Sequence, residues 1–535
     1  MAMTDDHRLE RTSLRLGPDP WQAYMRSISP PREWHSVPSS LGYTDCVLSA
    51  WAPTKHGLRT ADSAHNQWRL LQSSGETALK PFIKCKARWP RSSSSITHER
   101  RNLEDKDQTR SGINMAIANN KNRPHVAIVG AGPVGMMCAA KLANAGIQVT
   151  VFEKDAEIDP RPKALTYTAP VLADLAKLGI LEDVVKICFA DERAVWTWRT
   201  LGGGVLAEMH WSLLEDVHRP DLHKPYTLQC GQHLLAKVLV EYCNRFEHAK
   251  VLYGYQLLNL KQSDDKVTLT ISDSGKEPFD FEADYVIGAD GGRSATRKLI
   301  GQHLDGFTWD ESFVAMNVHF PFEKYNWGAA NFLIGGMDWA VAGRTGPGSD
   351  PWRVAYGVKP GLTDKQVLEG APDRLKTILP GPDQFQIVQC AQYKVHQRQV
   401  KQYKVGRVML AGDAAHLNNP IGGFGLTTGM TDAGCISDAL IAVISGQAPE
   451  QTLQEACDIR HQIWATISNP GSQNFKRIVQ QDPKSICKED MDFFERLNDD
   501  EEFQRSALLG SLRIHTPLGT FPSQRGNEKV YGLVD

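Results

Sequence analysis

The first chemistry visible in the chain is a run of glycines, Gly130-Ala-Gly-Pro-Val-Gly135, set between an apolar stretch at 125–129 and a helix-like stretch at 134–145. There the first glycine permits a tight turn, the second lets backbone approach a pyrophosphate, and the third lets helix and strand pack closely. The helix start adds unpaired N–H groups for phosphate oxygens. Glu153 ends the next strand-like run, Gln148-Val-Thr-Val-Phe152, where its carboxylate can accept hydrogen bonds from ribose hydroxyls. Pro133 and Lys154 flank these positions and belong to the same candidate set, with Gly130, Gly132 and Gly135. The pattern predicts a dinucleotide site without saying which dinucleotide.

Two later turns narrow the choice. Ile287-Gly-Ala-Asp-Gly-Gly-Arg-Ser-Ala-Thr-Arg297 ends an apolar strand at Asp290 and Gly291, and Gly406-Arg-Val-Met-Leu-Ala-Gly-Asp-Ala-Ala-His416 ends another at Gly412 and Asp413. Pro420-Ile-Gly-Gly-Phe-Gly425 then opens a helical pattern that runs to residue 444, with Pro420, Gly423 and Gly425 placed so that backbone can approach a ligand. His416 follows its turn closely and is expected to brace it.

The elements that must hold these turns are regular from residue 125 onward. A βαβ unit (125–152) is followed by helical stretches at 171–178 and 232–243, strand signals through 251–269 and 279–287, and more strands at 313–320, 339–342, 353–358 and 384–395. A strand at 407–411 leads into the helix from 425, and helices continue through 450–478 and 491–509. The fold class is α/β: a Rossmann-like domain, an inserted β-sheet domain and C-terminal helices. The expected boundaries are an atypical or poorly ordered extension at 1–122, the first part of the nucleotide domain with some inserted strands at 123–300, and the inserted sheet at 301–400. The nucleotide domain resumes at 401–480, and helices and a tail fill 481–535.

Composition excludes several function classes. The 535 residues carry 60 Lys and Arg against 62 Asp and Glu, a net charge of −2, so no basic surplus drives binding to nucleic acid or an anionic membrane. No apolar run is long enough to span a bilayer, and a cytoplasmic location is the default expectation. The 10 cysteines are scattered, with no C-x-x-C pair and no metal-ligand spacing, so free thiols and no metal are expected.

On the three ordered glycine-bearing motifs, the chain resembles the FAD-dependent aromatic hydroxylases, single-component flavoprotein monooxygenases of the p-hydroxybenzoate and phenol hydroxylase type. The resemblance runs from about residue 123 to 478. It implies that Gly130, Gly132, Gly135 and Glu153 hold the ADP half of FAD, that Asp413 bonds the ribityl chain, and that the helix after Pro420 points its start at the flavin pyrimidine edge. It implies a dual FAD-pyrophosphate and NAD(P)H role for Asp290 and Gly291, with Arg297 and, less readily, Arg293 as phosphate contacts. Gln232 matches a glutamine that contacts FAD, although a polar helix-start residue is an equal reading. Thr427 stands where many relatives carry Asn. The segment Arg161-Pro-Lys-Ala-Leu-Thr-Tyr167 matches in part, with Arg161 as a cofactor contact and Tyr167 as the candidate catalytic residue that orients a phenol; a buried structural tyrosine is the plainer alternative. The implied activity is hydroxylation of an aromatic small molecule, such as a phenolic secondary metabolite, with NAD(P)H and O2 through a flavin C4a-hydroperoxide. Baeyer–Villiger or dearomatising oxygenation and a non-oxygenating FAD oxidoreductase are the alternatives on the same scaffold.

Overall fold

A computed structural model describes residues 124–160, 163–190, 195–219, 222–273, 276–348 and 350–515. The expectations for Arg161 and for the extension at 1–122 fall outside these residues.

The βαβ unit forms as β1 (His125–Val129), α1 (Pro133–Asn144) and β2 (Gln148–Glu153). Val126, Ala127 and Ile128 are fully buried, as an apolar run without alternation requires of a strand covered on both faces. β3 (Thr166–Thr168), α2 (Ala169–Lys177), α3 (Leu181–Ile187), β4 (Val195–Thr200) and β5 (Val205–His210) follow, and the chain returns through β6 (Thr227–Gln229) to α4 (Gln232–Cys243) and β7 (Ala249–Tyr253). β8 (Tyr255–Gln262), β9 (Val267–Asp273) and β10 (Phe279–Ala283) make a three-stranded antiparallel sheet before β11 (Tyr285–Gly288) and the short α5 (Ala295–Leu299). The inserted region supplies β12 (Asp305–His319), β13 (Ala330–Ile334), β14 (Ala340–Arg344), β15 (Trp352–Val358), α6 (Asp364–Ile378) and β16 (Gln386–Gln399). The chain then re-enters the first domain with β17 (Lys404–Val405), β18 (Val408–Leu410), β19 (His416–Leu417) and α7 (Phe424–Ile444), and ends in α8 (Gln451–Ile463), α9 (Asn469–Val479), α10 (Lys488–Asp499) and α11 (Glu501–Ser511).

Two sheets carry the architecture. The nucleotide-domain sheet has the order β17-β18-β11-β1-β2-β7, parallel throughout except for the edge strand β17. Because β1, β11 and β18 are adjacent and parallel, the turns that follow them all leave from one edge of the sheet, which is where an open α/β sheet binds ligands. The second sheet has eight strands in the order β19-β16-β12-β15-β14-β13-β4-β5. One face buries Val314, Met316, Val354 and Tyr356 against Val367, Ala371, Leu375 and Ile378 of α6. Register places Ala315, Ala355 and Ala391 side by side on the opposite face, with Asn317, Arg353 and Gln389 two residues along.

Two expectations change. Cys188 and Cys230 are joined as a disulfide, with Cα atoms 4.9 Å apart, instead of standing as free thiols. The cause is local: a bridge between Phe189 and Gln229 brings the neighbouring cysteines together across 42 residues of chain. The helical run at 450–478 is also interrupted by a π-helical turn, Trp464–Ser468, just before Pro470, which has no N–H to continue the i→i−4 ladder. Among the described residues no helix is long and apolar enough to cross a membrane.

Candidate active site

The glycine turn after β1 has the geometry its spacing predicts. Gly130 has φ +107°, and a Cβ there would stand 2.5 Å from Ala289 O in the neighbouring turn. At Gly135 a Cβ would strike Gly130 O, so helix and turn can meet only without a side chain. At Gly132, by contrast, a Cβ would meet nothing within 4 Å. This is the open side of the turn, and as N-cap of α1 it leaves the first helical N–H groups without a side-chain acceptor. Pro133 sits in the first turn of the same helix. Glu153 is anchored beside it: Oε2 accepts from Ala131 N at 2.8 Å and Oε1 from Asp155 N at 3.0 Å. Lys154 is exposed and pairs with Asp155 at 2.7 Å.

The other two turns close onto this one. Ala289 N donates to Val129 O at 2.8 Å and Ala411 N to Gly288 O at 3.0 Å, so all three loops share one platform. Both carboxylate oxygens of Asp290 are used within the turn, by Ser294 Oγ and by Ala295 N (2.7 Å) and Thr296 N (3.0 Å) at the start of α5. Asp290 therefore shapes the loop, and Gly291 beside it presents partly accessible backbone. Arg297 is buried and donates to Ala414 O at 3.0 Å and Gly292 O at 2.7 Å, tying the Asp-Gly turn to the Gly-Asp turn. Arg293 is exposed.

Asp413 lies in an open crevice. Its side chain is accessible, yet the protein atoms crowded round it raise its carboxyl above the ordinary range, with His416, Lys163 and Arg297 pulling the other way. A carboxylate held this way is a recurrent mark of a functional site. Beneath it Gly412 N donates to Asp432 Oδ2 at 3.1 Å, and the same carboxylate takes His416 Nε2 at 2.7 Å and Arg460 Nε at 2.8 Å. His416 is thus a brace for the turn. Pro420 is exposed, and Gly423 caps α7 in the left-handed conformation (φ +71°) with no side-chain acceptor at the helix start. Gly425 is partly accessible at the same end, beside the Asn418 side chain. Thr427 is buried and bonds Thr168 Oγ1 at 3.2 Å and Gly423 O at 3.1 Å, so it serves packing. Gln232 opens α4 and is partly accessible.

Tyr167 lies elsewhere. Thr166 and Thr168 of β3 face the start of α7, and alternation sends Tyr167 to the opposite side, wholly buried among Val171, Leu172, Leu228 and Cys230. Its hydroxyl meets no partner, and burial pushes the phenol far above its ordinary value. The placement matches the plainer alternative, a structural tyrosine.

Facing the crevice is the small-residue side of the eight-stranded sheet. Ala315, Ala355 and Ala391 are only partly covered although they occupy adjacent central strands, which marks an open floor. Arg353 Nε donates to Asn317 Oδ1 at 2.8 Å and Asn317 Nδ2 to Gln389 Oε1 at 3.1 Å, forming a polar layer at one end. Phe313 and Tyr393, with ring centroids 6.1 Å apart, stand at the other. Phe424 at the start of α7 packs on Phe475 of α9, which in turn packs on Phe332 of the sheet, so one aromatic cluster joins the two helices to the sheet. A second recess of about 310 Å3 lies behind the turns, lined by Gly292, Arg297, Lys298, His303, His396 and Arg398.

Uncapped helix starts, an open glycine turn, an anchored acid and an accessible carboxylate on one platform fit a dinucleotide whose pyrophosphate needs N–H donors and whose sugars need acceptors. Comparison with known proteins agrees. The family model for an FAD binding domain matches residues 123–469. The chain is 36% identical over 401 residues to para-nitrophenol 4-monooxygenase of Pseudomonas sp. strain WBC-3, covering 73% of this chain and 96% of that protein. It is 32% identical over 364 residues to 6-hydroxy-3-succinoylpyridine 3-monooxygenase HspB of Pseudomonas putida strain S16, covering 68% and 90%. The crystal structure of p-nitrophenol 4-monooxygenase PnpA from Pseudomonas putida DLL-E4 superposes with a TM-score of 0.69 at 33% identity, covering 73% of this chain and 98% of that one. The chain belongs to the FAD-dependent aromatic hydroxylases, and it is an FAD-dependent monooxygenase.

Sequence reasoning missed the brace Asp432–Arg460, the Thr168–Thr427 contact and the polar layer on Arg353. Asp432 was the most findable, as one of two acids, with Asp438, inside a largely uncharged helix, eight residues past Phe424.

Proposed function

We propose that the enzyme uses NAD(P)H and O2 to hydroxylate a phenolic or related aromatic small molecule held between the α7 loop and the small-residue face of the large sheet. When bound, FAD supplies the redox and oxygen chemistry, taking electrons from NAD(P)H and activating O2. Gly130, Gly132, Pro133, Gly135 and Glu153 would hold its ADP half, Gln232 and Asp413 its ribityl region, and Pro420, Gly423 and Gly425 its ring edge. The start of α7 would favour negative charge on that ring. Gly292, next in the chain after Asp290 and Gly291, lines the recess together with Arg297, Lys298 and Arg398, whose cationic character would suit the phosphates of a nicotinamide dinucleotide.

The observation that carries the reading is the accessible alanine floor with one polar end. An apolar slot with few polar groups suits a flat aromatic ring and fixes its orientation. The names of both relatives above specify hydroxyl-bearing six-membered rings. Burial pushes the Tyr393 phenol up to about 12, so it stays protonated near neutrality and can donate to a ring oxygen. With a ring bound on that floor, loop, α9 and sheet would limit the access of water to it, which would favour oxygen transfer over loss of the oxidant. The test is NAD(P)H oxidation with O2 uptake across a panel of phenols, with product analysis. Substrate-triggered consumption with a hydroxylated product supports the proposal; bound FAD that NAD(P)H does not reduce overturns it.

A further inference from the structure

Gln229 stands at the junction of the two halves of the site. Its main chain is pinned to Phe189 in both directions, at 2.9 and 2.8 Å, which leaves only the side chain to act. That side chain is 1% accessible, its Nε2 has no hydrogen-bond partner, and its Oε1 receives only a long 3.5 Å bond from Thr166 Oγ1. A buried amide is seldom left unpaired in a folded protein, and where it is, a missing ligand is a ready cause.

The surroundings point to which ligand. The Thr166 Cβ lies 3.6 Å from where a Cβ of Gly423 would be, at the uncapped start of α7. On the other side, a Cβ at Gly343 on β14 would stand 3.5 Å from Gln229 Oε1. Gly231 N donates to Thr345 O at 3.1 Å, so the backbone beyond β6 is fastened to the residue just past the same strand. Gln229 thus lies between the helix start that faces the flavin ring edge and the sheet that floors the substrate space. On the reading that FAD occupies this crevice, we propose that Gln229 is a cofactor-binding residue whose side-chain N–H donates to a carbonyl oxygen on the pyrimidine edge of the flavin. The two acceptors on that edge supply what the amide lacks, and the bond strengthens as the reduced ring gains negative charge.

The test uses the full-length protein in apo and FAD-loaded forms. Gln229→Leu keeps the volume and removes the donor; Gln229→Glu keeps the shape and replaces the donor with an acceptor. FAD dissociation constants come from quenching of flavin fluorescence, midpoint potentials from spectroelectrochemistry, and apo stability from thermal unfolding. Gln229→Leu is expected to weaken FAD about tenfold and to lower the flavin midpoint potential, while the apo protein unfolds close to wild type because only the long 3.5 Å bond from Thr166 is lost and an unpaired buried N–H is removed. Gln229→Glu is expected to shift both flavin quantities further. Unchanged FAD affinity and potential in Gln229→Leu, a changed substrate KM alone, or Gln229→Glu binding FAD as tightly as wild type would each overturn the assignment. Failure of the wild type to take up FAD is a different result, and it would remove the cofactor reading itself.

Discussion

Asp432 is the residue on which the Gly412–Asp413 turn depends, and its removal has a calculable effect. The carboxylate is fully buried and serves three donors: Gly412 N, His416 Nε2 and Arg460 Nε, at 3.1, 2.7 and 2.8 Å. Burial alone would push its carboxyl up, but His416 and Arg460 hold it below the ordinary range. Arg460 is likewise buried and also donates to Thr431 Oγ1 at 2.7 Å and to Ile514 O at 2.5 Å, so the same network fastens the last described turn to the Gly412–Asp413 turn. Asp432→Ala leaves a buried guanidinium without its carboxylate, a loss of about 3–5 kcal/mol. At ~2.1 cal/mol/K per residue over the roughly 380 described residues, this lowers Tm by about 4–6 °C. The double variant Asp432→Ala/Arg460→Met removes the stranded charge and should regain most of that loss. FAD affinity should stay about tenfold weaker in both variants, because Gly412 N lacks its acceptor in each. Thermal unfolding of the apo proteins and fluorescence titration with FAD measure the two effects separately. A Tm within about 1 °C of wild type for Asp432→Ala, or a double variant no more stable than the single one, would refute the reasoning.

Three further outcomes follow from the site. Gly135→Ala places a Cβ against Gly130 O and should abolish FAD retention on gel filtration while secondary structure by circular dichroism persists. For Asp413, a carboxyl raised in the folded state costs apo stability as pH climbs from its unfolded pKa through the folded one; Asp413→Asn should therefore raise apo Tm at pH 7 but not at pH 3, and weaken FAD at pH 7. Tyr167→Phe removes a buried hydroxyl that has no partner, so Tm should hold or rise and kcat stay within about twofold; a collapse of kcat with intact FAD would instead restore an orienting role to the hydroxyl.

Much of this was legible in the chain because the signals were strong and local. An uninterrupted Val-Ala-Ile-Val run bounded by a glycine turn suits a strand covered on both faces, and Gly130 and Gly135 each proved to have a distinct steric reason, whereas a Cβ at Gly132 would meet nothing. Helix 232–243 was placed to the residue because Gly231 and Gln232 mark its start and Asn244 its end. What escaped depended on pairing. β3 has only three residues, too few to show that Thr166 and Thr168 face the start of α7 while Tyr167 faces the core. The alanine floor emerges only when β12, β15 and β16 are set in register, since each alanine alone is unremarkable among its neighbours. Cys188 and Cys230 meet through a bridge between flanking residues that no spacing announces. Arg460 reaches Asp432 from a separate helix, and nothing in either helix's own pattern signals the other.

The central claim is that this crevice delivers one oxygen atom from O2 to an aromatic ring. Turnover of FAD-loaded enzyme with NAD(P)H and an accepted phenol under 18O2 tests it most directly, with the product examined by mass spectrometry. The account predicts a new hydroxyl carrying one 18O atom, with one NAD(P)H oxidised per product. A hydroxyl oxygen drawn from water, or NAD(P)H oxidation that yields only peroxide with every phenol supplied, would contradict it.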